Sequence, residues 1–287
     1  MVIGVDLGGT NIRAALINDG AIGSVHQEKL CEKDSLQNTI DQLIAIIASL
    51  INKEVCAIGI GVPSVVDIEK GIVYDVINIP SWKRVELKKI LEERFQIPVY
   101  INNDVNCFAL GEHKYGQGKT YTSFVALSIG TGIGAAIIIN NQLYTGKNCG
   151  AGEIGSISYL DKNLEFYTSS LFFESKSTTP FLAHQAAING DQSVLPIWEE
   201  FGSHLGNMIK AIVYTYDPEV IILGGSIAKA FNYFEAPMKA AISDLQFPET
   251  FKSLNILLSN VENIALLGAA ALVKKDQPNE VKQLTRV

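Results

Sequence analysis

At 287 residues, 47% of them hydrophobic, the chain can build one large domain or two modest ones with real cores. A net charge of −7 argues against a nucleic-acid partner, since phosphate backbones are held by clustered Lys and Arg, and no run approaches the ~18 apolar residues of a membrane span. Cys31, Cys56, Cys107 and Cys149 are scattered without disulfide-framework or zinc spacing, and the first residues lack a basic segment and cleavage site, so a soluble cytoplasmic α/β protein is expected.

Residues 2–6 read as a strand, Leu7-Gly8-Gly9-Thr10-Asn11 as a turn, and residues 12–17 as a second strand closed by the hairpin signal Asn18-Asp19-Gly20. The glycines therefore join strand to strand, where a dinucleotide fold would pass into a helix. Backbone N–H groups in such a turn can hold phosphate oxygens; a plain hairpin needs no ligand. A helix over residues 34–52 presents Leu36, Ile40, Leu43, Ile44, Ile47, Leu50 and Ile51 on one face. A buried strand over 55–61, a loop to Asp67, a short hairpin and the loop Asn78-Ile79-Pro80-Ser81-Trp82 follow. Trp82 could stack on a sugar ring, although packing is the commoner role of a single loop Trp. A helix with Val85, Leu87, Ile90, Leu91 and Phe95 inward leads to a strand over 97–101.

That strand ends abruptly in Asn102-Asn103-Asp104, and Val105, Phe108, Ala109 and Glu112 then fall at helical spacing. Asp104 thus sits at or beside a helix N-terminus, which favours an anion by ~0.3–1 kcal/mol. It is either a plain N-cap or a carboxylate placed for chemistry.

The pattern restarts with a strand over 124–129, the turn Gly130-Thr131-Gly132-Ile133-Gly134, and a strand over 135–139 ending at Asn140-Asn141. Gly130, Gly132 and Ala135 satisfy G-x-G-x-x-A, but a strand follows where the dinucleotide fingerprint requires a helix. Two similar hairpins predict two related domains facing across a cleft. Helices are expected near 180–190 and over 195–216, the latter stopped by Asp217-Pro218, before a buried strand over 220–223. Gly224-Gly225-Ser226 then turns into a helix near Ile227; such a turn can accept a base or ribose, or simply connect. A strand over 255–258, a helix over 263–274 with Ile264, Leu267 and Ala271 inward, and a polar tail from Asp276 complete the chain.

In this order, Asp6-Leu7-Gly8-Gly9-Thr10, Asn103-Asp104, Gly130-Thr131-Gly132-Ile133-Gly134, Gly152-Glu153-Ile154-Gly155 and Leu223-Gly224-Gly225 resemble the ROK family of repressors and sugar kinases, within the actin-like ATPase superfamily. The resemblance implies an α/β protein of two actin-like (ribonuclease H-like) domains, residues 1–115 plus 263–287 and residues 116–262. It implies an ATP- and Mg²⁺-dependent kinase acting on the 6-hydroxyl of glucose or an N-acylhexosamine. Asp104 matches the catalytic base. Gly8, Gly9, Thr10 and Asn11 match the first phosphate loop, Gly130, Thr131 and Gly132 the second. Gly224 and Gly225 match the adenosine segment, and Asp6 lies near the magnesium. Asn103, Glu153 and Glu165 match sugar-binding positions, with Ser64 and Ser156 placed beside them. A homodimer is also implied.

One departure stands out. The family's zinc-binding histidine after Glu-x-Gly is here Ser156, and Tyr159-Leu160-Asp161-Lys162-Asn163 replaces its cysteine loop, so no zinc is expected. His26, His113, His184 and His204 read as surface or helix residues. A ROK repressor would carry a DNA-binding helix pair ahead of the first loop; residues 1–6 read as that loop's own strand, so a kinase is expected over a repressor. A non-catalytic sugar sensor is the other alternative.

Overall fold

The computed structural model describes residues 1–244 and 246–273; the expected polar tail and the end of the last expected helix, at Lys274, lie outside the described residues. Two five-stranded sheets carry the fold in the same strand order. In the first, Ala21–Lys29, Asn11–Asn18 and Val2–Leu7 pair antiparallel, and Ala57–Val62 and Val99–Asn103 extend the sheet in parallel. Gln142–Tyr144, Ile133–Ile139, Phe124–Ile129, Val220–Gly224 and Asn255–Leu258 repeat that arrangement in the second. The hairpins share their turn chemistry too: Asp19 and Gly20 have φ of +46° and +87°, Asn140 and Asn141 +50° and +62°. Left-handed pairs of this kind match the twist of the strands they join. The molecule has the two-lobed, actin-like α/β plan.

Both parallel inner strands, Ala57–Val62 and Val220–Gly224, are buried along their whole length, as expected where helices cover both faces of a sheet. The first long helix is Leu36–Ala48, capped by Ser35, whose hydroxyl accepts the Asn38 N–H. Its inward face differs from the apolar pattern: Leu36 and Ile51 are exposed, while Thr39 and Ile46 are buried. The helix stops before Ile51, and Thr39 is held inside because its hydroxyl accepts the indole N–H of Trp82 at 2.7 Å. Trp82 is itself fully buried, so it is core and offers no stacking face. Val85, read as helical, pairs in the short strand Arg84–Val85 ahead of the helix Leu87–Phe95.

After its last strand the chain crosses back to the first sheet. The helix Ile264–Ala271 lies backbone-to-backbone on that sheet: a Cβ added to Gly59 would sit 1.9 Å from the carbonyl oxygen of Ala269. The same helix packs along Asp104–Tyr115. A buried cluster then joins the lobes, with Ala15 and Ile17 from the first sheet, Phe124, Ala126, Ile138 and Ile222 from the second, and Phe108 and Leu266 from the two helices. Among the described residues no helix is long and apolar enough to cross a membrane.

Candidate active site

A cleft of about 1300 Å³ lies between the lobes, and both glycine turns open into it, through Gly9 and Thr10 on one side and Gly130, Thr131 and Gly132 on the other. Ser64, Asn103, Asp104, Glu153 and Glu165 line the same space. Asp6, Gly8, Asn11, Ser156, Gly224 and Gly225 are not among the lining residues. Gly8 and Asn11 close the first turn from behind, with a 2.9 Å bond from the Gly8 N–H to the Asn11 carbonyl. Gly224 packs against the Phe108 ring, and Gly225 takes the positive φ of +86° that the turn into the next helix requires. Ser156 is exposed outside the cleft, so the serine that stands in the expected histidine position does not reach the lining.

Asp104 opens the helix Asp104–Tyr115 at the end of the strand Val99–Asn103. It is not the cap. The Asn103 side-chain oxygen accepts the N–H groups of Val105 and Asn106 at 2.9 and 3.2 Å, while Asp104 Oδ1 accepts the adjacent Val105 N–H at 2.9 Å. Beneath them Asn102 and Asn106 are buried and bonded to each other at 2.9 Å. Asn103 Nδ2 donates to the Ser64 carbonyl at 3.3 Å, and the Ser64 hydroxyl donates to the Tyr74 carbonyl.

Desolvation in the cleft wall, followed by the Asp6 carboxylate, pushes Asp104 up to about 7; the Val105 N–H opposes this and Glu153 adds to it. The helix N-terminus at Asp104 favours the ionised form, in the opposite direction. A terminus contributes only ~0.3–1 kcal/mol, too little against lost solvent and like charges. A carboxyl titrating near neutrality is suited to accept a proton from a hydroxyl at working pH.

Glu165 sits in the first turn of the helix Leu164–Thr168, whose cap Asn163 accepts the Phe166 N–H at 2.9 Å. Its Oε1 accepts the Ile133 N–H at 3.3 Å and lies over Gly132, where a Cβ would come within 2.5 Å of it. Desolvation and then the Glu165 charge push Glu153 upward. Two carboxylates thus converge beside the second glycine turn, a grouping that accepts hydrogen bonds from hydroxyls.

Several neighbours escaped the sequence reading. Arg13 pairs with Asp6 across the first hairpin, its Nε 3.1 Å from Asp6 Oδ2, and reaches Asn263 Oδ1 at 3.4 Å. The hairpin register, which sets Asp6 opposite Arg13, is the signal that could have revealed it. Lys147 and Cys149 line the cleft from the loop after Gln142–Tyr144, and no motif marks them. Where the zinc loop was expected to be missing, Ser158–Tyr159 and Lys162–Asn163 form a hairpin. The Tyr159 hydroxyl lies 3.1 Å from His204 Nδ1 and accepts from Asn207 Nδ2 at 3.0 Å. Of the two readings offered for His204 the helical one holds: it lies in the helix Leu195–Tyr216 with its side chain 13% exposed, packed against Tyr159, Tyr167 and Phe172.

The model of the ROK family matches residues 2–167 and 174–276 of the chain. A glucokinase from Thermotoga maritima is 29% identical, over 96% of this chain and 97% of that protein. The xylose repressor of Bacillus subtilis is 28% identical, over 94% of this chain and 76% of its own length. Among solved structures, a ROK family glucokinase from Streptomyces griseus in complex with glucose and AMPPNP superposes with a TM-score of 0.83 at 26% identity, covering 94% of this chain and 98% of that one.

Proposed function

The chain belongs to the ROK family, and from that premise we propose that it is an ATP-dependent hexose kinase. It transfers the γ-phosphoryl group to the 6-hydroxyl of glucose or an N-acylhexosamine such as N-acetylmannosamine or N-acetylglucosamine. One observation carries this reading: a carboxyl titrating at about 7 stands in the wall of a cleft into which two opposed glycine turns open. Asp104 takes the proton as the sugar oxygen attacks the γ-phosphorus, and ADP leaves. Phosphoryl transfer demands positioning and charge stabilisation more than covalent help, and backbone N–H groups at Gly9, Thr10, Thr131 and Gly132 supply donors for phosphate oxygens, while the Gly130 N–H closes the second turn on the Gly132 carbonyl at 2.9 Å. Glu153, Glu165 and Asn103 receive the sugar hydroxyls. The Gly224-Gly225 turn abuts the second phosphate turn, a Cβ on Gly130 coming 3.5 Å from Ser226 Oγ, and takes the adenosine side.

Asp6 is the residue that would hold magnesium. Both of its bonds from Arg13 end on Oδ2, which leaves Oδ1 for a metal-bound water. Magnesium keeps most of its waters and leans on the phosphates, so one carboxylate of the protein would suffice. When bound, magnesium neutralises charge developing on the phosphates. The same reading has the enzyme working as a cytoplasmic homodimer without zinc.

A coupled ADP assay against a panel of hexoses, amino sugars and N-acyl sugars tests the proposal. Sugar-dependent ADP release by the wild type, abolished in Asp104→Asn, supports it. The similarity to xylose repressors motivates the alternative, a non-catalytic sugar-sensing ROK protein. That reading requires sugar binding by calorimetry with no sugar-dependent ADP release.

A further inference from the structure

The loop after the strand Gln142–Tyr144 belongs to the second sheet, yet Cys149 within it is packed into the core of the first, in one cluster with Val66 and Ile101. Its side chain is 4% exposed. The thiol donates to Asn102 Oδ1 and accepts from Asn106 Nδ2, each at 3.2 Å. These asparagines are the bed on which Asp104 rests: Asn102 bonds the Asn103 N–H at 2.8 Å and Asn106 at 2.9 Å, and Asn103 caps the helix.

Backbone conformation supplies a second, independent observation. Cys149 has φ of +58°, the left-handed region that residues with a Cβ rarely occupy, although Gly150 stands beside it in the chain. Conformations of this kind persist where the surroundings hold them in place, and they gather at functional sites. Here the surroundings are the asparagine bed. The same loop lines the cleft through Thr145, Lys147 and Asn148, and it runs on into Glu153. One side chain therefore fastens the wall that carries Glu153 to the wall that carries Asp104.

We propose that Cys149 is a positioning residue, whose thiol pins the second lobe's cleft loop to Asn102 and Asn106 under Asp104 and so sets the spacing between Glu153 and Asp104. Its kinetic consequence rests on the kinase reading above; the contact between lobes does not. Burial pushes the thiol upward from its ordinary value, so the sulfur keeps its proton and remains a donor to Asn102.

Three variants test the proposal. Cys149→Gly removes the side chain together with the left-handed strain, so it folds with a melting temperature no lower than that of Cys149→Ala. Both variants raise the sugar KM about tenfold or more and lower kcat while leaving the ATP KM unchanged, as expected when reacting groups are misplaced. Cys149→Ser keeps a donor and an acceptor in nearly the same place and restores the sugar KM. Wild-type values of sugar KM and kcat in both the Gly and Ala variants overturn the proposal. Amide hydrogen exchange provides an arm that needs no turnover. In Cys149→Gly, exchange quickens at Val105 and Asn106, in the helix start that the thiol supports from beneath, and Cys149→Ser reverses this. Unchanged exchange at those amides overturns the proposal even if the enzyme is a kinase. Absent ADP release with the exchange effect intact overturns only the kinase reading.

Discussion

The side-chain oxygen of Asn103 caps the helix that Asp104 begins, accepting the Val105 and Asn106 N–H groups at 2.9 and 3.2 Å. The structural task falls to the asparagine, and the carboxylate beside it is free for chemistry. Asp104→Asn is therefore expected to lower kcat by ~10²–10⁴ with sugar binding retained, the usual loss when a general base is removed. Asn103→Ala should instead cost ~0.5–2 kcal/mol of stability through the lost cap. Steady-state kinetics beside urea melts separate the two; near-normal turnover in Asp104→Asn removes Asp104 from the mechanism.

The pH dependence follows from the same carboxyl. Its ordinary value is 3.8 and the fold pushes it to about 7, so between those limits the native state holds a proton that the unfolded chain has released. Stability contributed by this group is present below the lower value and lost as pH rises toward 7. Melting temperatures should decline over that interval in the wild type more than in Asp104→Asn. Activity runs the other way, because the base must be ionised: kcat/KM should climb through a limb near pH 7. Arg13→Met removes the cation paired with Asp6, leaves more negative charge beside Asp104, and should move that limb higher. A limb below pH 5 in the wild type would contradict the assignment.

Glu153 and Glu165 are expected to act on sugar. Replacing either by Gln keeps its size and removes the charge that strengthens bonds from hydroxyls, so the sugar KM should rise with the ATP KM little changed. Glu165→Ala should behave differently. Its Oε1 holds the Ile133 N–H at the edge of the second glycine turn, so losing it should raise both constants. Initial-rate measurements with each substrate varied decide this, and an unaltered sugar KM in both Gln variants would place the pocket elsewhere.

Gly59→Ala tests the packing of the last helix. The added Cβ would sit 1.9 Å from the Ala269 carbonyl oxygen, and backbone on both sides cannot swing away. Overpacking of this sort typically costs ~1–3 kcal/mol, and a direct clash with backbone belongs at the upper end. A melting temperature equal to that of the wild type would mean that the helix does not lie where described.

Local chemistry made much of this architecture legible in the sequence. Asn18-Asp19-Gly20 and Asn140-Asn141 announce left-handed turns, and Asp217-Pro218 stops the helix Leu195–Tyr216 at the expected place. The division of labour between Asn103 and Asp104 was hidden, because asparagine and aspartate are equally good caps and only coordinates show which one folds back. Thr39 defeated the apolar pattern because its partner, Trp82, lies far along the chain. Cys149 carries no local signal at all: its role depends on a loop of one sheet entering the core of the other. Desolvation likewise has no sequence signature, and it is the largest cause of the raised titration of Asp104.

The landing of the helix Ile264–Ala271 on the first sheet also fixes an order of events during synthesis. The strands that receive it, Val2–Leu7 and Ala57–Val62, leave the ribosome long before the helix is made. At ~5–20 residues per second the intervening chain takes roughly 10–40 s to emerge. Through that interval the sheet's helix-binding face stays open to water and to other nascent chains. The first sheet thus receives its last covering helix only after the second sheet has been made, and a chain truncated before Ile264 is expected to leave that face open to chaperones.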